Sequence, residues 1–288
     1  MKTLSVFNQK GGVGKTTATI NIGAAFALML SREADPDKEP GRVLIIDLDQ
    51  QTHASVLLSG GFFGYHDASL GPYDNIAGLL MQETERPTAE IVVTANIPHG
   101  GRGRIDFIPS SKAKMARAEN VLSAEPVDGL YRLREVLEPV TSLYRYAFID
   151  NPPSLGHLAC NSLIAASHVL VPIQLAAPAL FSLSETIRTI QSIQRKHNHE
   201  LQLLGILATM CDFRYQEHKE FYSALSQQYG DLLLPPITRL AEIEYASSEG
   251  LDIFSFKPGR RADVLASASR ATQEYAHVAE IIRQRMDR

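Results

Sequence analysis

The 288-residue sequence is poor in cysteine and carries no excess of positive charge. Its two cysteines, Cys160 and Cys211, are too few and too far apart for a disulfide framework or a zinc site. We expect both to be buried thiols in a reducing compartment. With 28 Lys and Arg against 32 Asp and Glu, the net charge is -4. DNA binding would therefore need a local basic patch, because the chain as a whole is not basic.

The sequence also predicts neither a secretory leader nor a membrane span. Residues 1–9, MKTLSVFNQ, reach Gly11 before an apolar leader core can form. The richest apolar stretch, residues 158–183, is interrupted by polar side chains and by Pro172 and Pro178, which favours a helix, a buried strand and then a loop. These features predict a cytoplasmic protein. The 44% of hydrophobic residues, without repeats or low-complexity tails, predict a single domain over residues 1–288.

Short apolar runs recur along the chain, and a helical pattern follows each of them. Such runs are typical of parallel strands whose two faces are both covered by helices. The sequence therefore predicts an α/β fold, a doubly wound, mostly parallel sheet flanked by helices. We expect a first helix over residues 16–31, a polar loop over 31–41 and an ordered excursion near the ligand over 60–75. The predicted strands cover residues 3–8, 42–47, 104–109, 146–150, 169–174 and 203–210.

The most specific motif is FNQKGGVGKTTATINIG at residues 7–23. It ends like the phosphate-binding pattern G-x-x-x-x-G-K-S/T, but Gln9 stands where the opening glycine belongs. The glycines let backbone N–H groups turn inward on phosphates, and the following helix adds its N-terminal partial positive charge. Lys15 is expected to reach the β- and γ-phosphates, and the Thr16 hydroxyl to bind magnesium. The predicted nucleotide-binding residues of the loop are Gly11, Gly12, Val13, Gly14, Lys15, Thr16 and Thr17.

Acidic residues follow two other predicted strands. Asp47 and Asp49 alternate at the end of one strand, so that one could support magnesium while the other orients or deprotonates an attacking water. A solvated turn is the alternative explanation for this pair. Asp150 follows the apolar run YAFI and is suited to hold magnesium, and two prolines end the strand after it.

The second lysine of the loop, Lys10, lies ahead of the glycine–lysine pair and is badly placed to duplicate Lys15. Phosphoryl transfer needs positive charge on the developing anion, and many nucleotide hydrolases take it from a second protein. Lys10 is therefore predicted to serve a neighbouring subunit. The alternative is a solvated loop charge.

Taken together, the motifs KGGVGKTT (10–17), DLDQQ (47–51) and DNPPSLG (150–156) resemble the ParA/Soj/MinD group of deviant Walker A ATPases, and most strongly the ParA/Soj partition proteins. The resemblance extends to ATMCDFR (208–214), and a much weaker likeness covers residues 237–262. The resemblance implies a P-loop NTPase fold, with ATP or ADP and Mg²⁺ as ligands. An iron–sulfur relative would need cysteines at other positions, and a guanine-reading N/T-K-x-D motif is absent, so ATP is the expected nucleotide.

The resemblance also implies residue roles. It places Lys10 across a dimer interface, on the phosphates of the nucleotide bound by the other subunit. It makes Lys15 a phosphate ligand and Asp49 the aspartate required for hydrolysis. The positions implied to lie near magnesium are Thr16, Asp47 and Asp150, and those implied to contact adenine are Met210, Asp212 and Thr238. The chain departs from the family pattern at Gln50, where proline is usual, at Asn151, where Thr or Cys is commoner, and at Thr238, which replaces a proline.

By this resemblance the protein is expected to be a weak ATPase that acts as a switch. ATP would bring two subunits together, the homodimer would bind DNA without sequence preference on the nucleoid, and a ParB-like partner would stimulate hydrolysis. Plasmid, chromosome and protein cargo are all compatible with this switch. The candidate DNA-binding residues are Arg239, Lys257, Arg260 and Arg261, and solvated surface charges are the alternative explanation for them.

A MinD-like, membrane-associated positioning ATPase is the alternative function. It would need a basic amphipathic C-terminal helix with apolar anchors. Residues 274–288 place Val278, Ile281, Ile282 and Met286 where they could share one helix face. Packing of that face in the core is the simpler explanation, so no membrane contact is predicted.

Overall fold

A seven-stranded sheet runs through the part of the chain that the computed structural model describes, which comprises residues 1–33, 41–60, 70–96, 104–125, 127–257 and 269–288. The strand order is β3-β4-β2-β5-β1-β6-β7. All neighbouring strands are parallel except β3 and β4, which pair antiparallel at one edge. The strands are β1 (Lys2–Val6), β2 (Arg42–Asp47), β3 (Val93–Thr94), β4 (Arg104–Ile108), β5 (Tyr146–Asp150), β6 (His168–Gln174) and β7 (Gln202–Thr209).

Helices cover both faces of this sheet, and the strands show it residue by residue. In β2, Val43 and Ile45 belong to a core cluster with α1 and α11, whereas Leu44 and Ile46 belong to one with α3, α5 and α6. Since successive side chains of a strand point to opposite faces, a strand buried on both faces is apolar throughout. The helices are α1 (Lys15–Glu33), α2 (His53–Leu58), α3 (Ile76–Leu80), α4 (Thr88–Ile91), α5 (Lys112–Ala124), α6 (Arg132–Leu137), α7 (His157–Ala165), α8 (Ala177–Lys196), α9 (Gln216–Tyr229), α10 (Ala241–Ser248) and α11 (Arg270–Met286).

The predicted doubly wound, mostly parallel α/β fold is confirmed, with local differences. The edge strand β3 was not predicted, because two residues are too short to carry a period. The prediction of a loop after residue 174 is wrong, because α8 begins at Ala177. Pro178 lies in its first turn, where the backbone N–H that proline lacks would have no partner within the helix. The loop and excursion predictions over 31–41 and 60–75 fall largely on residues 34–40 and 61–69, outside the described residues. No helix in the described residues is long and apolar enough to cross a membrane.

The last helix, α11, packs its apolar face into the core beside α1. Val278 and Ile282 are fully buried and Met286 is 1% exposed, while Ile281 packs at the edge of the same cluster. The helix end is held by Asp287, whose carboxylate accepts the Tyr146 hydroxyl at 2.7 Å. The apolar face of this helix therefore belongs to the protein core.

Replacing Ile282 with alanine is expected to destabilise the protein by about 2–5 kcal/mol, because it removes buried apolar contacts and leaves a cavity between α11 and α1. Chemical denaturation followed by circular dichroism measures the change. Gln284→Ala, an exposed position on the same helix, is the matched control and should stay within about 0.5 kcal/mol. Equal stabilities of the two variants would contradict the packing of this face.

Candidate functional site

The loop between β1 and α1 is shaped by two glycines in the left-handed region. Gly12 has φ 72° and Gly14 has φ 78°, conformations that residues with a Cβ rarely adopt. The loop is tied to two other strands, since the Thr209 hydroxyl donates to the Val13 carbonyl at 2.9 Å and Gln174 Nε2 donates to the Gly12 carbonyl at 2.9 Å. These contacts fix the loop directly above the start of α1.

Lys15 is the first residue of α1, and its ammonium is held inside the loop. Nζ donates to the Lys10 carbonyl at 3.0 Å, and the residue is 6% exposed. Burial lowers the pKa of Lys15, while the nearby carboxylates Asp150 and Asp49 oppose that shift. The ammonium therefore lies near these carboxylates. An anionic ligand bound in the loop would meet a positive charge that water screens little.

Asp150 and Thr16 form the second part of the site. The Thr16 hydroxyl donates to Asp150 Oδ2 at 2.7 Å, and Asp150 is fully buried at the end of β5. Burial, with the charge of Asp47 next in weight, raises the pKa of Asp150 well above its usual range. Its other oxygen, Oδ1, is buried and has no hydrogen-bond partner among the described residues. A buried carboxylate oxygen without a donor is the kind of group that a cation satisfies.

Asp47 and Asp49 lie beside Asp150 on the neighbouring strand. The parallel register pairs Asp47 with Asp150. Asp47 accepts two backbone N–H groups, from Asp49 at 3.1 Å and from Ser55 at 2.8 Å, and burial raises its pKa to about 6. Asp47 thus shapes the turn that carries Asp49, whose own carboxylate accepts the Gln51 N–H at 2.9 Å and is 8% exposed.

The oxygen atoms of this site are suited to magnesium rather than to a metal that protein side chains alone would hold. Within the described ranges, no three His, Cys, Asp or Glu side chains are grouped to hold a metal ion. Magnesium is usually held by one or two protein oxygens, with phosphate and water oxygens completing its octahedron. The Thr16 hydroxyl and the unsatisfied Asp150 Oδ1 supply such a pair, whereas Asp47 is engaged with the backbone. Asp47 therefore acts mainly on the turn after β2 in this structure.

A cavity of about 270 Å³ adjoins the loop on the β7 side. Gly14 and Thr17 line it on the side of the loop and α1. Met210 and Thr238, for which the resemblance implies contact with adenine, also line it. Tyr275 of α11 also lines it. Sequence patterns did not indicate Tyr275, since its contribution depends on how α11 packs; Gln174 was detectable only as the polar end of a predicted strand.

Asp212 does not line this cavity. Its carboxylate forms an ion pair with Arg214 at 2.6 Å, and hydrogen bonds from Arg214 lower the pKa of Asp212 to about 2. Met210 has a left-handed φ of 52°, and Asp212 lines a second cavity that shares Met210 with the first. Asp212 therefore lies outside the cavity that Met210 and Thr238 line.

The remaining predicted residues that the structure describes, Lys10, Arg239 and Lys257, are at least partly exposed. Lys10 is half-buried, its N–H donates to Asn8 Oδ1 at 2.9 Å, and its ammonium forms no ion pair or hydrogen bond within the described part of the chain. Arg239 is 68% exposed and lies 3.7 Å from Glu244, and Lys257 is exposed. Arg260 and Arg261 lie outside the described residues.

Comparison with known proteins bears on this site. A family model described as an AAA domain matches residues 1–203. The chain is similar to the sporulation initiation inhibitor protein Soj of Bacillus subtilis, with 31% identity over 264 residues that cover 90% of this chain and 93% of Soj. It is also similar to the chromosome partitioning protein ParA of Caulobacter vibrioides, with 31% identity over an alignment that covers 100% of this chain and 96% of that protein.

Solved structures agree with this likeness. Cobyrinic acid a,c-diamide synthase of Mycobacterium smegmatis, with a bound ATP analogue and magnesium, is 27% identical with a TM-score of 0.72, covering 97% of this chain and 93% of that one. The ATP complex of McdA from Cyanothece has a TM-score of 0.77 at 18% identity, covering 100% and 96%, and shares the fold.

Replacing Asp150 with asparagine is expected to stabilise the nucleotide-free protein in magnesium-free buffer by about 1 kcal/mol, or roughly 2–4 °C in Tm. The amide oxygen can still accept the Thr16 hydroxyl, while the negative charge beside Asp47 is removed. The pKa of Asp150 is raised, so its ionised form destabilises the folded state above the unfolded pKa. The gain should therefore grow as the pH rises above the unfolded pKa and shrink toward pH 4.

Differential scanning fluorimetry across pH 4–8 measures this gain. Glu200→Gln, which removes an exposed carboxylate away from the loop, is the control and should leave Tm unchanged. A lower Tm for Asp150→Asn at pH 7.5 would show that the carboxylate stabilises the fold.

Proposed function

We propose, from the premise that this chain belongs to the ParA/Soj-type partition ATPases of the P-loop family, that it is an ATP-dependent switch whose ATP-bound dimer holds DNA without sequence preference. The observation that carries this proposal is the pair of lysines in one loop. Lys15 is buried against the carboxylates of its own site, whereas the ammonium of Lys10 has no partner within the described residues. A second subunit's nucleotide would supply the missing anion.

The residues of the loop would divide the work on ATP. Lys15 and the backbone N–H groups around Gly12 and Gly14 would bind the phosphates, with α1 directing its positive end toward them. Magnesium, which neutralises phosphate charge, would be held by the Thr16 hydroxyl with Asp150 beside it. Asp49 would then orient the attacking water, because it is the least buried of the three acids and ends the turn that Asp47 holds.

DNA contact requires basic side chains on a common surface. Arg239 shares a shallow cavity of about 390 Å³ with Arg214, and another of about 380 Å³ with Arg214 and Arg270. Each of these arginines is paired with a carboxylate, so DNA phosphates would have to compete for them. We propose Arg239 and Lys257 as DNA contacts, with Arg260 and Arg261 as further candidates, in a protein located in the cytoplasm on the nucleoid. A ParB-like partner would stimulate hydrolysis, and residues 1–288 would act as one domain.

DNA retention with and without ATP should separate four proteins. Wild type is expected to retain DNA with Mg-ATP and release it with ADP. Lys15→Ala should lose nucleotide binding and DNA together. Lys10→Ala should still bind ATP but neither dimerise nor retain DNA, with hydrolysis lowered about 10²-fold or more, the usual cost of removing a charge from the transition state. Asp49→Ala should bind ATP and stay on DNA, because it cannot hydrolyse the nucleotide.

Biolayer interferometry on immobilised duplex DNA measures retention, and light scattering measures dimerisation. Lys196→Ala, an exposed lysine in the last turn of α8, is the control and should behave as wild type. If wild type and the three site variants retained DNA equally whatever the nucleotide, the proposal of an ATP-dependent switch would be wrong.

The membrane-positioning alternative loses its supporting feature, because the apolar face of α11 is packed in the core. We therefore expect no ATP-dependent co-sedimentation with anionic liposomes, in contrast to ATP-dependent DNA retention. Sedimentation of most of the protein with liposomes only when ATP is present would favour the alternative.

A further inference from the structure

The segment 237–240 forms one wall of the cavity beside the loop. It lies next to the end of β7, although it is distant from that strand in the sequence. Its odd-numbered residues are bonded to the end of β7. Ile237 N donates to the Ala208 carbonyl at 2.8 Å, and Arg239 N donates to the Cys211 carbonyl at 2.8 Å. The N–H of Thr238, between them, points away from this ladder and needs another acceptor.

Glu274 of α11 supplies that acceptor. Its Oε2 accepts the Thr238 N–H at 2.7 Å, and its Oε1 accepts the Thr238 hydroxyl at 2.7 Å. The Glu274 side chain is 18% exposed, so this charge-assisted pair is largely shielded from water. Arg270 closes the cluster by donating to Glu274 Oε1 and to the Thr238 hydroxyl oxygen, both at 2.8 Å.

The next residue of α11 belongs to the same cavity. Tyr275 lines it and is 2% exposed, and its side chain is hydrogen-bonded to Asn21 of α1. Since α1 begins at Lys15 and Thr16, α11 connects the wall at Thr238 with the helix that starts at the loop. The position of the wall relative to the loop therefore depends on α11 and Glu274, in addition to the backbone bonds to the end of β7.

We propose that Glu274 is a positioning residue, which holds the 237–240 wall against the base of the bound nucleotide and so sets nucleotide affinity. This inference rests on the proposed function, because the base is that of ATP. Without the carboxylate, the N–H and the hydroxyl of Thr238 have no acceptor beside α11. The bonds from Ile237 and Arg239 to the end of β7 are then left to hold the wall, which can shift toward water at Thr238. The phosphate contacts of Gly12, Gly14 and Lys15 do not involve this cluster, and they remain.

The test compares two ligands that differ by the nucleoside, Mg-ATP and Mg-tripolyphosphate, by isothermal titration calorimetry. Glu274→Ala is expected to raise the Kd of ATP about tenfold, the equivalent of ~1.4 kcal/mol, and to leave the Kd of tripolyphosphate within about twofold. Glu274→Gln keeps an oxygen for the Thr238 N–H, and it should recover most of the affinity. Thr238→Val removes only the hydroxyl and should weaken ATP binding by about threefold.

Glu280→Ala is the matched control, because Glu280 is an exposed glutamate on the same helix. Thr238→Val keeps the shape of the side chain, so it tests the inference even if Glu274→Ala does not fold. Unchanged ATP affinity in Glu274→Ala and Thr238→Val, with tight binding by wild type, would overturn this inference alone. Equal losses for ATP and tripolyphosphate would overturn it too, since they indicate general loosening. Failure of wild type to bind ATP would refute the proposed function as well.

Discussion

The buried charge at the carboxyl ends of β2 and β5 is the constraint on which the site depends. Asp47 and Asp150 are side by side in the sheet and almost without water. Among the described residues, Lys15 supplies the only buried ammonium near them. Burial raises the pKa of both carboxyls, which shows that the fold favours their neutral forms. A divalent cation bound at Asp150 would compensate this buried negative charge without a proton. These buried charges therefore favour ligand binding and lower the stability of the ligand-free protein.

The sheet makes this arrangement possible because it is parallel and covered on both faces. Parallel strands bring their carboxyl ends to one edge, where β1 leads into the loop and α1, and β2 and β5 deliver Asp47 and Asp150. The two core clusters on opposite faces of β2 hold these strands in register. A shift by one residue would turn Asp150 from the loop toward a helix.

Sequence patterns predicted the parts of the molecule that are local. The continuous apolar strands and the loop ending in Lys15 and Thr16 are contiguous in the chain, and the resemblance to ParA/Soj proteins was based on them. The base side could not be predicted in the same way. Met210 and Asp212 are two residues apart, yet of the two only Met210 lines the cavity, and Met210 lies in a left-handed turn. Nothing in the local pattern indicates that turn.

The departure at Thr238 shows how the site depends on distant residues. Proline, which the resemblance implies at this position, has no N–H, whereas threonine adds both an N–H and a hydroxyl to a partly buried wall. Those donors would destabilise the wall unless an acceptor lay within reach, and Glu274, thirty-six positions further along the chain, accepts both. The loop is likewise tied to distant residues, since Thr209 and Gln174 donate to its carbonyls. Both the loop and the wall at Thr238 therefore depend on partners that the fold brings together, and a local sequence pattern does not indicate those partners.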